Sequence, residues 1–162
     1  INVDGHYISL NNYPDAKGFI IIFTCNHCPF AKLYPSRLNQ LNNKYKSLGI
    51  PLIAISSTDT IQFEEDTYLN MIAKSAAEDF NFPYLYDETQ EVAKAFGATH
   101  TPHIFLFNSD RKLKYEGKID DNWQEPEKVK SAYLKEAILE VLSSKEVSVP
   151  ETFSIGCTIK WK

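Results

Sequence analysis

Apolar residues along this chain fall into short unbroken runs separated by stretches with helical spacing. Gly18–Thr24 (GFIIIFT) is a continuous apolar, β-branched run, as expected of a strand buried on both faces. Ile50–Ile55 (IPLIAI) is a second such strand. Between them Phe30, Leu33, Tyr34, Leu38, Leu41, Tyr45 and Leu48 recur at helical intervals. Pro29 suits the first turn of that helix, where a missing N–H costs nothing. Pro35 falls inside the pattern and is expected to kink it, and Gly49 fits its end. Upstream, Tyr7–Leu10 after the Asp4-Gly5 turn is expected to be a short strand.

Downstream the alternation continues. Glu64–Glu78 is expected to be helical, with Tyr68, Met71, Ile72 and Ala76 as its apolar stripe. Phe82–Tyr86 is a short extended piece, and Thr89–Phe96 a helix closed by Gly97. His103–Phe107 and Leu113–Ile119 alternate like a hairpin around Asn108-Ser109-Asp110. Pro126–Leu142 is a final amphipathic helix with Val129, Ala132, Tyr133, Leu134, Ile138, Val141 and Leu142 on its core side, and Glu146–Lys162 is a tail. Strands alternating with helices, then a hairpin and a helix, predict an α/β domain over 1–162 whose sheet is covered on both faces.

Composition narrows the function classes. With 162 residues, 43% of them hydrophobic, the chain is long enough to bury roughly 70% of its unfolded surface without a metal or disulfide staple. It has 17 basic against 21 acidic residues and only two arginines, Arg37 and Arg111, with no basic stripe, so nucleic acid is a poor candidate partner. The longest apolar runs, Phe19–Phe23 and Ile104–Phe107, are far short of the ~20 residues a membrane helix needs. The chain begins at Ile1 with no recognisable leader, which leaves the compartment open between the cytoplasm and export of a trimmed precursor.

Three cysteines exclude a disulfide scaffold. Cys25 and Cys28 form a Cys-x-x-Cys pair where the first buried strand meets a helix. Backbone N–H groups at a helix N-terminus stabilise an anion there, and in such a motif a thiol pKa of about 8.5 falls to about 3.5–7.5. Cys25 is expected to be the exposed nucleophile and Cys28, one turn in, the resolving thiol. His27 between them would further stabilise the Cys25 thiolate. A stabilised reduced form makes a more oxidising disulfide, above the thioredoxin value of about −270 mV. The polar Asn26 and His27 are expected to keep the turn wet.

Other assignments compete. Cys-x-x-Cys is half a zinc site, which His100 and His103 would complete. The flanking core strand and long helix disfavour that, since structural zinc staples small or loop-rich modules. A surface role for His100 is the bland alternative. Thr101-Pro102 opens the strand His103–Phe107, a tolerated position for proline.

Together these pieces resemble the thioredoxin fold, in which such a Thr-Pro bond is cis and packs beside the cysteines. Within it the chain resembles the redoxin branch, the peroxiredoxin-like (alkyl hydroperoxide reductase/thiol-specific antioxidant) superfamily. The resemblance is carried by Phe23-Thr24-Cys25-Asn26-His27-Cys28-Pro29, by Phe82–Gln90 (FPYLYDETQ) and by Gly156–Lys162 (GCTIKWK). It implies a central mixed β-sheet with helices on both faces, a redox-active Cys25–Cys28 disulfide, and a substrate groove shaped by Thr101 and Pro102, with His100 near it.

The chain also departs from its relatives. Measured against peroxiredoxins, Cys28 aligns with the peroxidatic position, Cys25 stands where their threonine would be, and Thr101 lies where their arginine is expected. Measured against thioredoxin, Thr24 replaces a tryptophan, and Phe19 occupies the place of a buried aspartate, leaving the acceptor of the Cys28 proton unassigned. Cys157 is either a third redox thiol, if the tail folds back over Cys25, or a buried small residue, the reading free cysteine favours. Trp161 is expected to anchor the tail.

The expected function is therefore thiol–disulfide oxidoreduction by Cys25 and Cys28, tuned by His27, with no organic cofactor. Its partners would be protein or small-molecule thiols and disulfides and an external dithiol electron donor. A homodimer follows by analogy only. A hydroperoxide reductase using the same cysteines and a metal-binding module using Cys25, Cys28 and a histidine are the alternatives.

Overall fold

The computed structural model describes residues 1–162. The two apolar runs become adjacent parallel strands, β1 (Gly18–Phe23) and β2 (Leu52–Ser56), every residue of which is buried. The sheet continues on one side with the parallel β3 (Tyr84–Tyr86). Two further strands in chain order are β4 (His100–Thr101) and β5 (His103–Asn108), and β5 pairs antiparallel with β1 on its other side. The hairpin strand β6 (Leu113–Gly117) closes the order β3-β2-β1-β5-β6. This is the expected mixed sheet.

Alternation along β1 divides the core. Ile20 and Ile22 face one layer with Leu38, Leu41 and Tyr45 of α1 (Pro35–Lys46), Met71 of α2 (Tyr68–Ala77), and Leu134 and Ile138 of α4 (Tyr133–Leu142). Phe19, Ile21 and Phe23 face the other layer, with Ala93 of α3 (Glu91–Phe96) and Ile159 from the C-terminal segment. Successive strand side chains point to opposite faces, so one strand anchors both helical layers. No helix is long and apolar enough to cross a membrane.

Several expected elements differ. Tyr7–Leu10 is no strand: Tyr7 is 82% exposed, and Leu10–Asn12 forms a 3-10 turn. The β3 edge is occupied instead by the first residues, with Val3 N–H bonding Tyr84 O at 3.1 Å and Tyr86 N–H bonding Ile1 O at 2.8 Å. Pro35 does not kink a helix but begins one: a 3-10 turn, Ala31–Leu33, precedes it, because proline without an N–H is accommodated at the first helical position. The Glu64–Glu78 stretch breaks at Thr67, whose backbone is extended, into a 3-10 turn (Glu64–Asp66) and α2, and of its apolar stripe only Met71 is buried. The last helix is also split. Lys130 N–H bonds Asp121 Oδ1 and Asp121 N–H bonds Ser131 O, holding 129–132 off the helical path until α4 begins.

The tail is not a loose end. Glu151 bridges to Glu116, and β7 (Cys157–Thr158) pairs antiparallel with β4 in a second, two-stranded sheet. Gln90 holds the segment in place: its amide donates to Lys160 O at 2.8 Å and its carbonyl accepts Lys162 N–H at 3.0 Å. The Lys94 ammonium of α3 lies 5.7 Å from the centre of the Trp161 ring.

Candidate active site

β1 ends at Phe23, and the chain turns through Thr24 and Cys25 to Cys28 before the 3-10 turn at Ala31–Leu33. Asn26 locks this turn. Its side-chain carbonyl accepts the Tyr84 hydroxyl at 2.9 Å, its amide donates to Glu65 O at 2.7 Å, and its backbone N–H donates to Asp66 Oδ1. Asn26 is therefore buried rather than wetting the turn, because protein groups satisfy its polar atoms. Segments about forty residues apart are pinned to one another at this point.

All three cysteines are free thiols. The Cys25 and Cys28 sulfurs meet at Thr101, whose bond to Pro102 is cis. Its hydroxyl lies 3.3 Å from Cys25 Sγ, and its carbonyl accepts the Cys28 thiol at 3.4 Å. Cys28 N–H donates to Cys25 Sγ at 3.3 Å. Cys25 is only 4% exposed and Cys28 fully buried, so the expectation of an exposed Cys25 is corrected. The expected α-helix N-terminus is absent too, since α1 starts only at Pro35. The N–H of the turn itself does that work.

Two thiols in contact share one proton. A thiol donating to its neighbour favours the neighbour's anion and disfavours its own. Cys28 is pushed down to about 4, first because Cys25 donates to it, with the Cys157 side chain and the backbone N–H groups of Ala31 and Cys157 adding further bonds against the opposing effect of burial. Cys25 is raised far above the ordinary thiol range by donating to Cys28 and by burial, with the Asp66 charge adding to the rise and the Thr101 hydroxyl opposing it. The anion is therefore shared over the pair: Cys25 donating favours it on Cys28, while the Cys28 N–H on Cys25 Sγ and the Cys28 thiol donated to Thr101 O favour it on Cys25.

Asp66 is the residue that motif reading missed. Fully buried, it accepts the His27 Nδ1–H with one oxygen and the Asn26 N–H with the other. Its only signal in the sequence is an acidic run, Glu64-Glu65-Asp66, that equally fits a helix start. Phe63 stacks on the imidazole at 4.2 Å, and His27 Nε2 is buried without a partner. Cys25 Sγ, a His27 ring nitrogen and an Asp66 oxygen lie within 4.8 Å of one another. These are atom types that also hold metals, but the bonds Asp66 makes to His27 and Asn26 account for the arrangement as a hydrogen-bonded Cys–His–Asp cluster.

The proposed zinc set of Cys25, Cys28, His100 and His103 is not brought together. His103 Nδ1 accepts Thr99 N–H at 3.2 Å, and its ring stacks on Phe105 at 4.4 Å. Burial, and secondarily the His100 charge, lowers His103 to about 4. His100 Nδ1 lies 2.8 Å from the Thr99 hydroxyl and makes no bond to either sulfur. Neighbours on a strand point oppositely, so while Thr101 of β4 faces the thiols, His100 faces away.

Cys157 stands directly across from Thr101 in the β4–β7 pair and packs against Cys25, Cys28 and Ala31. It is only partly buried, so the expectation of a buried small residue is met in part. Both arginines are engaged elsewhere: Arg37 with Asp120 at 2.9 Å and the carbonyls of Asn122 and Trp123, Arg111 with Asn11. An apolar depression of about 470 Å³, lined by Tyr7, Leu10, Ile53, Leu85 and Phe96, has no cysteine in its wall.

Comparison with known proteins follows this geometry. A structure of an uncharacterized conserved protein from Geobacillus kaustophilus is 38% identical, superimposes with a TM-score of 0.91, and is matched over 99% of this chain and 86% of that one. The thiol–disulfide oxidoreductase ResA of Bacillus thuringiensis subsp. konkukian is 27% identical over 134 residues, 83% of this chain and 70% of ResA. A thioredoxin-like protein in its oxidized form is 17% identical with a TM-score of 0.69 over 87% of this chain and 88% of that one, which shows the fold. The model of the AhpC/TSA family matches residues 1–116. With that match spanning most of its length, this chain belongs to the AhpC/TSA family and has a thioredoxin-like fold.

Proposed function

We propose that the protein is a thiol–disulfide oxidoreductase whose Cys25 and Cys28 cycle between dithiol and disulfide. The observation that carries this reading is the shared Thr101 contact: one residue bonds both sulfurs, and the Cys28 N–H bonds Cys25. The similarity to ResA supports it. Cys25, the less buried of the two, attacks one sulfur of a substrate disulfide. Cys28 holds the shared proton as Cys25 attacks, and the first substrate thiolate leaves. Cys28 then gives up that proton and attacks Cys25 Sγ, releasing the second substrate thiol. The substrate gains two electrons and the protein pair loses them. An external dithiol restores the pair by the reverse exchange.

His27 and Asp66 form the proton-handling group of this reading. The imidazole, oriented by the carboxylate, lies close enough to Cys25 to receive or return a proton. Thr101 and Pro102 form the wall against which the substrate disulfide is aligned, and His100 lies outside it. Substrates are protein or small-molecule disulfides and thiols. A thiolate held within the pair stabilises the reduced form, so the expected potential of the couple lies above thioredoxin's about −270 mV.

Incubating a C28S/C157S chain with oxidised glutathione tests the reading. A stable glutathione adduct on Cys25, seen by peptide mass, is expected. An adduct nowhere, together with failure of wild-type Cys25 and Cys28 to interconvert as one two-electron pair in glutathione buffers, overturns it.

A further inference from the structure

Cys157 lies some 130 residues from the Cys-x-x-Cys turn in sequence, yet the tail delivers it to the same cluster. It is the Cα partner of Thr101, the residue that touches both active-site sulfurs. It packs against Cys25, Cys28 and Ala31. The approach of the tail is close: a Cβ on Gly156 would stand 2.0 Å from Thr101 O, so only glycine lets β7 lie this near β4. The segment is tied just beyond Cys157, by Ile159 N–H to Thr99 O at 2.9 Å and by Asp59 N–H to Lys160 O at 2.9 Å. Cys28 is fully buried, whereas Cys157 is only partly so.

We infer that Cys157 is a third redox thiol, which attacks Cys28 of the Cys25–Cys28 disulfide, forms a Cys28–Cys157 disulfide and releases Cys25 as a free thiol. The inference rests on the oxidoreductase reading above. The step is an internal exchange: the Cys28–Cys157 bond forms as the Cys25–Cys28 bond breaks, and the Cys157 proton ends on Cys25. No oxidant is consumed. The oxidising equivalent moves from a buried sulfur to one nearer the surface, where an external dithiol can attack Cys157 while Cys25 stands ready for another substrate.

The electrostatics change in the right sense along this path. In the reduced protein, burial and then the neighbouring Cys28 anion hold the Cys157 thiol up at about 11, with Lys160 opposing. Oxidation of Cys28 removes its anion, leaving burial against the lysine charge, so Cys157 becomes a better nucleophile when there is a disulfide to attack.

Oxidised glutathione, alkylation and peptide mapping test this in three chains. In C25S, a disulfide-linked Cys28–Cys157 peptide is expected. In fully oxidised wild type, part of Cys25 remains open to alkylation, and in C157S that reactivity is lost because only the Cys25–Cys28 disulfide can form. Absence of the linked peptide in C25S, with oxidised wild-type Cys25 as unreactive as in C157S, overturns the inference. When the inference fails in this way, C157S separates the two readings: a Cys25–Cys28 disulfide still formed there means that only the role of Cys157 has failed. If it forms none, the oxidoreductase reading has failed as well.

Discussion

Asp66 holds the His27 imidazole by its Nδ1–H and uses its second oxygen on the backbone N–H of Asn26, so one buried carboxylate fixes both residues between the two cysteines. A carboxylate fully removed from water is costly unless paired and hydrogen-bonded. Its place against Cys25 therefore points to a use beyond stability. In this chain Phe19 stands in β1, where the resemblance had located thioredoxin's buried aspartate, and Asp66 brings a carboxylate to the thiols from a different segment.

As a positioning residue, Asp66 is expected to act through His27. His27→Ala should slow reduction of a disulfide probe by about 10²-fold, the low end of general acid–base contributions. Asp66→Asn should slow it less, and should add little to the loss in a chain that already carries His27→Ala, because its effect passes through the imidazole. Stopped-flow rates of the two single variants and the double variant decide the matter. Fully additive losses would assign the carboxylate to folding alone.

The shared proton of the thiol pair has a spectroscopic consequence. Cys28 is lowered to about 4 and Cys25 raised far above the ordinary range. Lowering the pH of the reduced protein from neutrality should preserve one thiolate until close to pH 4 and then remove it in a single step. Raising it should add no second active-site thiolate near the ordinary thiol value of about 8.5. Ultraviolet thiolate absorbance during titration measures this, with C157S removing the third thiol from the signal. Both active-site cysteines titrating together near about 8.5 would contradict the arrangement.

Gly156→Ala should detach the tail. The added methyl would meet a backbone carbonyl that cannot rotate away, so β7 must leave β4 or shift in register. The expected cost is about 1–3 kcal/mol, typical of a core overpacking change, together with faster alkylation of Cys157 in the reduced protein. Thermal denaturation and alkylation rates check the two effects. An unchanged melting temperature with unchanged Cys157 reactivity would mean that the tail does not hold this pairing in solution.

Much of the layered fold was legible along the chain because its signals are local. The GFIIIFT run is apolar at every position, which only a doubly covered strand needs, and β1 occupies that run up to Phe23. The Cys-x-x-Cys turn at the end of that strand was legible for the same reason. Where local signals are ambiguous, the reading went astray. Pro35 fits both a kink and a first helical position, and what precedes it decided for the second. Tyr7–Leu10 has the composition of a strand, but Ile1–Val3 had already taken the β3 edge.

The sequence by itself determined the principal strands and helices, their order and the chemistry available at Cys25 and Cys28, since spacing and side-chain type act over a few residues. Only the tertiary structure decided which distant groups complete the site. Asp66 arrives from forty residues away and Cys157 from the far end of the chain, while His100, two residues from Pro102, is turned aside by strand alternation. The charge shared by the pair depends on that assembly as well: the contact between the two thiols acts first, and Thr101 and the returning tail add bonds to the sulfurs that no local pattern encodes.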